Sequence, residues 1–183
     1  MATPKPPDPV TLLVGMLSAR PELFDAAQAE LVERYGHVDL ASPVIEFNFT
    51  DYYDREMGAG LKRKFLSFAQ KIDPGRLAEI KIETNGIEEH FAREQTFAPR
   101  PINIDPGYIC GSKLVLASAK DRSQRLYLGR GIYAEITLEF RNRTFRPVET
   151  TYRDYASPEY IAFFTEVRAR HLAAREEETE KTL

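Results

Sequence analysis

The stretch Arg125 to Phe140, RLYLGRGIYAEITLEF, decides the fold class. After Gly131, Ile132, Ala134, Ile136, Leu138 and Phe140 alternate with Tyr133, Glu135, Thr137 and Glu139. Period-two alternation is a strand with one face on a core and the other polar. Arg125 to Gly129 is a second, shorter strand, and Arg141-Asn142-Arg143 is a hairpin turn that returns through Phe145 and Val148. The region is therefore antiparallel sheet, and the rest of the chain has to cover it.

Working outward, Val10 to Leu17 (VTLLVGML) is a nearly continuous apolar run, as expected of a strand buried on both faces. A helix follows from Glu22, with Leu23, Phe24, Ala27, Leu31 and Tyr35 at spacings of three and four and Gly36 as its cap. Val38 to Phe49 reads as extended, Thr50 to Gly60 as a loop, and Leu61 to Ile72 as a strand. Asp73-Pro74-Gly75 starts a second helix whose stripe is Leu77, Ile80, Thr84, Ile87 and Phe91. Asn85-Gly86 inside that stripe predicts a kink or interruption. Ile102 to Ile104 is extended, Asp105-Pro106-Gly107 reads as a turn, and Leu114 to Ala117 is a short apolar strand or helix segment. Ser157-Pro158-Glu159 opens the last helix. The fold class is α+β: a ferredoxin-like β-α-β-β-α-β sandwich extended by a β-hairpin and a C-terminal helix.

A chain of 183 residues fits one domain. Residues 1–9, with four prolines, predict a disordered tail, 10–174 a single domain, and 175–183 a frayed charged tail. No stretch approaches the roughly 20 apolar residues of a membrane span, and the basic-then-apolar layout of a signal peptide is absent, so a cytoplasmic home is expected. The single cysteine, Cys110, agrees with a reducing compartment and reads as a small buried apolar side chain rather than a nucleophile. The net charge of −3 disfavours general affinity for nucleic acid.

There is no G-x-x-x-x-G-K-[ST] loop and no G-x-G-x-x-G after the first strand, so both common backbone cradles for phosphate are missing. His37, His90 and His171 share no ligand spacing, which disfavours zinc. The positive candidates are of two kinds. Asp51, Asp54 and Glu56, beside Tyr52 and Tyr53, are oxygen ligands of the type magnesium takes, or simply solvated loop acids. Lys62, Arg63 and Lys64, then Lys113, Lys120, Arg125 and Arg130, offer donors for phosphate. Residues 62 to 64 alternate between strand faces, so not all three can serve one site; Lys113 and Arg125 lead because they flank strong strands. Glu135, mid-strand, is the candidate general base, or else an exposed acid paired across to Arg125.

The segments FTDYYDREMGAGLKRKF (49–65), IDPGRLAEIKIETNGIE (72–88), NIDPGYICGSKLVLASAK (103–120), RLYLGRGIYAEITLEF (125–140) and Tyr155 to Arg168 resemble the prokaryotic family called domain of unknown function 4416. Its members are often labelled GTP-binding proteins, so the resemblance implies a nucleotide ligand. This chain departs from that label in having neither a phosphate loop nor an N-K-x-D motif. The leading expectation is a site for a phosphorylated small molecule that joins Asp51, Tyr53 and Glu56, with magnesium, to Lys113, Lys120 and Arg125, with Glu135 opposite. The rival is a protein-interaction or homo-oligomeric module. A third reading is RNA on the sheet face, with Tyr127 and Tyr133 as stacking platforms.

Overall fold

The computed structural model describes the backbone of residues 1–180 and the side chains of residues 1–176. It is an α+β fold in which every strand pairing is antiparallel. The strands are β1 (Val10–Ser18), β2 (Val38–Ala41), β3 (Ile45–Glu46), β4 (Lys62–Ile72), β5 (Asn103–Ile109), β6 (Lys113–Ser118), β7 (Leu126–Gly129), β8 (Ile132–Arg141) and β9 (Thr144–Pro147). The helices are α1 (Glu22–Tyr35), a single turn α2 (Asp54–Met57), α3 (Leu77–Glu94) and α4 (Pro158–Glu180). The strands form one sheet in the order β2-β4-β1-β5-β6-β8-β7, with β3 also on β4 and β9 also on β8.

Each of the nine residues of β1 is buried, because the sheet is covered on both sides. Val10, Leu12, Val14 and Met16 pack on α1 and α3 through Phe24, Leu31, Ile80 and Ile87. Leu13 points the other way, into a cluster with Phe65, Tyr160, Phe164 and Val167, which α4 lays across the opposite face. No described helix is long and apolar enough to cross a membrane.

Local signals account for the element ends. Asp73 accepts the Gly75 N–H at 2.7 Å ahead of α3, and Ser157 Oγ accepts the Tyr160 N–H at 3.4 Å ahead of α4. Asn142 and Arg143 both have positive φ, 52° and 64°, so β8 and β9 are joined by the mirror-image two-residue turn that suits strand twist. The C-terminal segment is helical as far as Glu180; residues 181–183 of the expected charged tail lie outside the described residues. At the other end, Asp8 of the N-terminal tail is tied to Arg175 at 2.8 Å.

Four expectations are corrected. Val38 to Phe49 is two short strands, interrupted at Ser42-Pro43. The Asn85-Gly86 pair does not interrupt α3, which runs unbroken. The outward-facing alternation of β8 fails because its pairing with β6 shifts between Leu114↔Leu138 and Val115↔Ile136, leaving Thr137 as an extra residue. That bulge turns the strand over: Ile132 and Ala134 face α3, Leu138 faces α4, Glu135 is buried and Ile136 is exposed.

The fourth correction positions the site. Asp105-Pro106-Gly107 is not a turn but the middle of β5. β5 stays paired to β1 from Asn103 to Ile109, whereas its pairing to β6 covers only Gly107↔Leu116, Tyr108↔Val115 and Ile109↔Leu114. Beyond that point β6 follows β8 instead, so the two strands part. Pro106 is tolerated there because β6 has already left. Gly107 stands where they meet, and a Cβ on it would lie 2.3 Å from the Val115 carbonyl oxygen.

Candidate functional site

The parting of β5 and β6 opens a cavity of about 360 Å³, within the range of small-molecule sites. Asn103 and Asp105 line it from one strand, Ala117 and Ser118 from the other. α3 supplies Lys81 and Asn85, so the Asn that reads badly inside a helix is a wall of the cavity. The segment after β9 closes it with Tyr152, Arg153, Asp154 and Tyr155, and is held back onto the sheet by Thr151 Oγ1 donating to the Thr137 carbonyl at 2.6 Å.

On the floor, Arg63 of β4 is only 4% exposed. Its Nη2 donates to Asp154 Oδ2 at 3.2 Å, and its Nη1 lies 3.7 Å from Asp105 Oδ2. The guanidinium also packs over the rings of Phe47, at 5.3 Å, and Phe65, at 5.7 Å. Burial works against its charge, but Tyr155, Asp154 and Asp105 more than offset this and hold it protonated. Its Nε and Nη1, and the hydroxyls of Tyr155 and Tyr160, are buried with no hydrogen-bond partner among the described residues. Lys81 donates to the Ile104 carbonyl at 2.7 Å and lies 3.6 Å from Glu88 and 3.7 Å from Asp105.

The two floor carboxylates are tuned apart. Burial would raise Asp105, but Lys81, Arg63 and Arg100 outweigh it and hold this carboxyl below its usual range. At Asp154 burial prevails over Arg63, its main cation, so its carboxyl is pushed up.

At the far wall, Arg125 and Glu135 form a buried pair at 3.1 Å. Arg125 Nη1 donates to Ser118 Oγ at 2.7 Å and to the Lys120 carbonyl at 2.6 Å, and Nη2 also reaches the Tyr152 hydroxyl. Glu135 accepts from Arg125 through one oxygen and from Gln124, at 3.0 Å, through the other. Glu135 therefore has both oxygens engaged, one of them with the guanidinium. Tyr152 is exposed overall, but partial burial of its hydroxyl and then the Glu135 charge push its phenol up to about 12.

Of the residues singled out from sequence, Tyr53, Arg63, Lys120, Arg125 and Glu135 line this cavity together. Lys113 does not: it lines a separate cleft with Cys110 and His171. Asp51 and Glu56 are exposed and do not line the cavity, although the Glu56 carbonyl accepts the Arg100 N–H at 2.9 Å. Among the described residues no group of three or more His, Cys, Asp or Glu could hold a metal ion. Cys110 is half-buried rather than part of the core, and despite burial its thiol is held below the usual range by hydrogen bonds with Ser112 and Lys113. Tyr127 and Tyr133 form a cross-strand pair with ring centroids 5.2 Å apart at the β7 edge.

Sequence reasoning passed over Lys81, Arg100 and Asp154, and took Asp105 as part of a turn. Two signals were present. Arg63 shares strand parity with Phe65, a core position, and Lys81 falls on the apolar stripe of α3, four residues after Leu77. A charge on a core face needs a partner, which makes it a site candidate.

No curated protein and no solved structure matches the chain. Residues 8–171 match one protein family, described as "Domain of unknown function (DUF4416)", and the chain belongs to it.

Proposed function

We propose that this chain binds a nucleotide or another phosphorylated small molecule in the cavity between β5 and β6, without a phosphate loop. The observation that carries the reading is the charge of the lining. Arg63, Lys81, Arg100, Lys120, Arg125 and Arg153 face Asp105, Glu135 and Asp154, six cations against three carboxylates, on a chain whose net charge is −3. A cation excess concentrated in one concavity of a net-acidic protein favours an anionic ligand. Phe47, Phe49, Tyr53, Tyr152 and Tyr155 add ring faces to the same walls. The order β2-β4-β1-β5, with α1 and α3 as crossovers, supports a ferredoxin-like reading of the unit that carries the floor.

A thermal-shift screen of 5′-mononucleotides, sugar phosphates and inorganic phosphate tests this, because a ligand of the native state raises the melting temperature. A ligand at 100 times its Kd stabilises by about 2.7 kcal/mol, a shift of several degrees. The screen is run with and without magnesium: Asp51 and Glu56 lie outside the cavity lining, so a metal ion would have to arrive bound to phosphate. A melting temperature indifferent to every compound sinks the reading.

A second reading concerns the sheet edge. Leu126 is 75% and Tyr127 63% exposed, Leu128 and Ile136 are uncovered, and β7 ends the strand order. An apolar edge strand bare on both faces favours association of two copies. Light scattering should then give a dimer that Leu126→Lys with Leu128→Lys converts to monomer; a monomer at every concentration removes this role.

A further inference from the structure

The cavity is not uniform in charge, and the difference orients its ligand. On the floor the charges already balance: Arg63 is shared between Asp154 and Asp105, and Lys81 between Asp105 and Glu88. Arg100 is likewise committed to Glu88, so a phosphate dianion placed there would lose its hydration and meet only cations that already have carboxylate partners. What the floor has in excess is hydrogen-bonding capacity. Arg63 Nε and Nη1 and the Tyr155 hydroxyl are buried without hydrogen-bond partners among the described residues, next to a carboxylate that accepts. Each such group is costly unless a partner arrives, and groups that donate beside groups that accept suit an uncharged polar head. The aromatic walls, with Phe47 against Tyr53 at 6.3 Å and Tyr152 against Tyr155 at 6.4 Å, favour a head that is flat.

The mouth is the opposite. Lys120 and Arg153 are exposed, and neither makes an ion pair among the described residues; Lys120 lies over the Tyr52 ring at 5.9 Å. Cations that keep their water on one side and lack an acid partner suit a phosphate that also stays partly hydrated.

We propose that the ligand enters head first: an uncharged hydrogen-bonding ring of the nucleobase class meets Arg63, Asp154 and Tyr155 on the floor, and its phosphate remains at the mouth with Lys120 and Arg153. This rests on the cavity being a site for phosphorylated compounds, and adds the class of the head and the direction of entry. The upward push on the Asp154 carboxyl agrees with a floor that resists further negative charge.

Calorimetric titration of the full chain with uridine, uridine 5′-monophosphate, adenosine, adenosine 5′-monophosphate and 3-phosphoglycerate separates the two ends. At least one monophosphate should bind about tenfold or more tightly than its nucleoside. Lys120→Ala with Arg153→Ala should shrink that ratio to about threefold or less. Asp154→Asn should weaken nucleoside and nucleotide alike and leave the ratio unchanged. Both mouth residues are exposed, so the mouth variant folds and decides the matter even where Asp154→Asn does not. A ratio that survives the mouth variant, or 3-phosphoglycerate binding as tightly as the mononucleotides, overturns the orientation while leaving a site for phosphorylated compounds. Failure of every phosphorylated compound to bind overturns both.

Discussion

Replacing Arg63 with methionine should cost about 3–5 kcal/mol of stability at pH 7, the range for removing one partner of a buried ion pair. The guanidinium is the cation that Asp154 bonds and one of those that hold Asp105 ionised. Without it, Asp154 is left as a carboxylate with 6% exposure. The pH dependence identifies the cause. Asp154 already has a raised folded-state pKa, and losing Arg63 raises it further. A carboxyl raised in the folded state adds stability at low pH that is lost as pH rises through its folded value, so the deficit of the variant should be smaller at pH 5 than at pH 8. Adding Asp154→Leu to Arg63→Met should recover much of the loss. Urea denaturation at the two pH values measures this. Equal deficits at both would mean that Arg63 matters for its packing on Phe47 and Phe65, not for its charge.

Acidification from pH 6.5 to 4 should remove about 3 kcal/mol through His171 alone. This imidazole is 1% exposed and its Nδ1 lies 3.0 Å from Thr11 Oγ1, which also accepts from Lys71 at 2.8 Å. Burial first, then Lys71, Arg175 and Arg168, push it down to about 4, with Asp8 opposing. A base depressed in the folded state stabilises fully above its unfolded pKa, and that stability drains as pH falls toward the folded value, because the unfolded chain takes up the proton first. His171→Gln should carry a fixed cost near neutrality but a flatter slope with pH. Asp154 contributes with the opposite sign at the acidic end, so the difference between wild type and variant is the quantity to plot. Parallel curves would show that His171 does not stay neutral in the fold.

How much of this was legible in sequence depended on whether a signal was local. The β1 run, the α1 stripe, the Asp73 and Ser157 caps and the Asn142 turn each rest on spacings of a few residues, and each places an element correctly. The bulge at Thr137 left no local trace: the alternation of β8 continues in sequence while the strand turns over in space. Asp105-Pro106-Gly107 misled for a related reason. Its composition suits a turn, and what makes it a strand is β1 alongside it, about 90 residues away in sequence and reachable only through tertiary pairing. The site divided in the same way. Arg125, Glu135, Tyr53 and Lys120 lie near strong elements and do meet in the cavity, whereas Lys113 is carried by β6 to the opposite end. Lys81 could have been found, and Arg63 preferred to its neighbours Lys62 and Lys64, by asking which charges occupy core positions.

Whether the cavity between β5 and β6 holds a phosphorylated small molecule is decided by titrating the protein with the mononucleotide that gives the largest thermal shift and following the heat. One saturable site per chain is expected, weakened by added salt and by Lys120→Ala with Arg153→Ala. Heat that never saturates, or saturable binding that neither the mouth variant nor Asp154→Asn weakens, would contradict it.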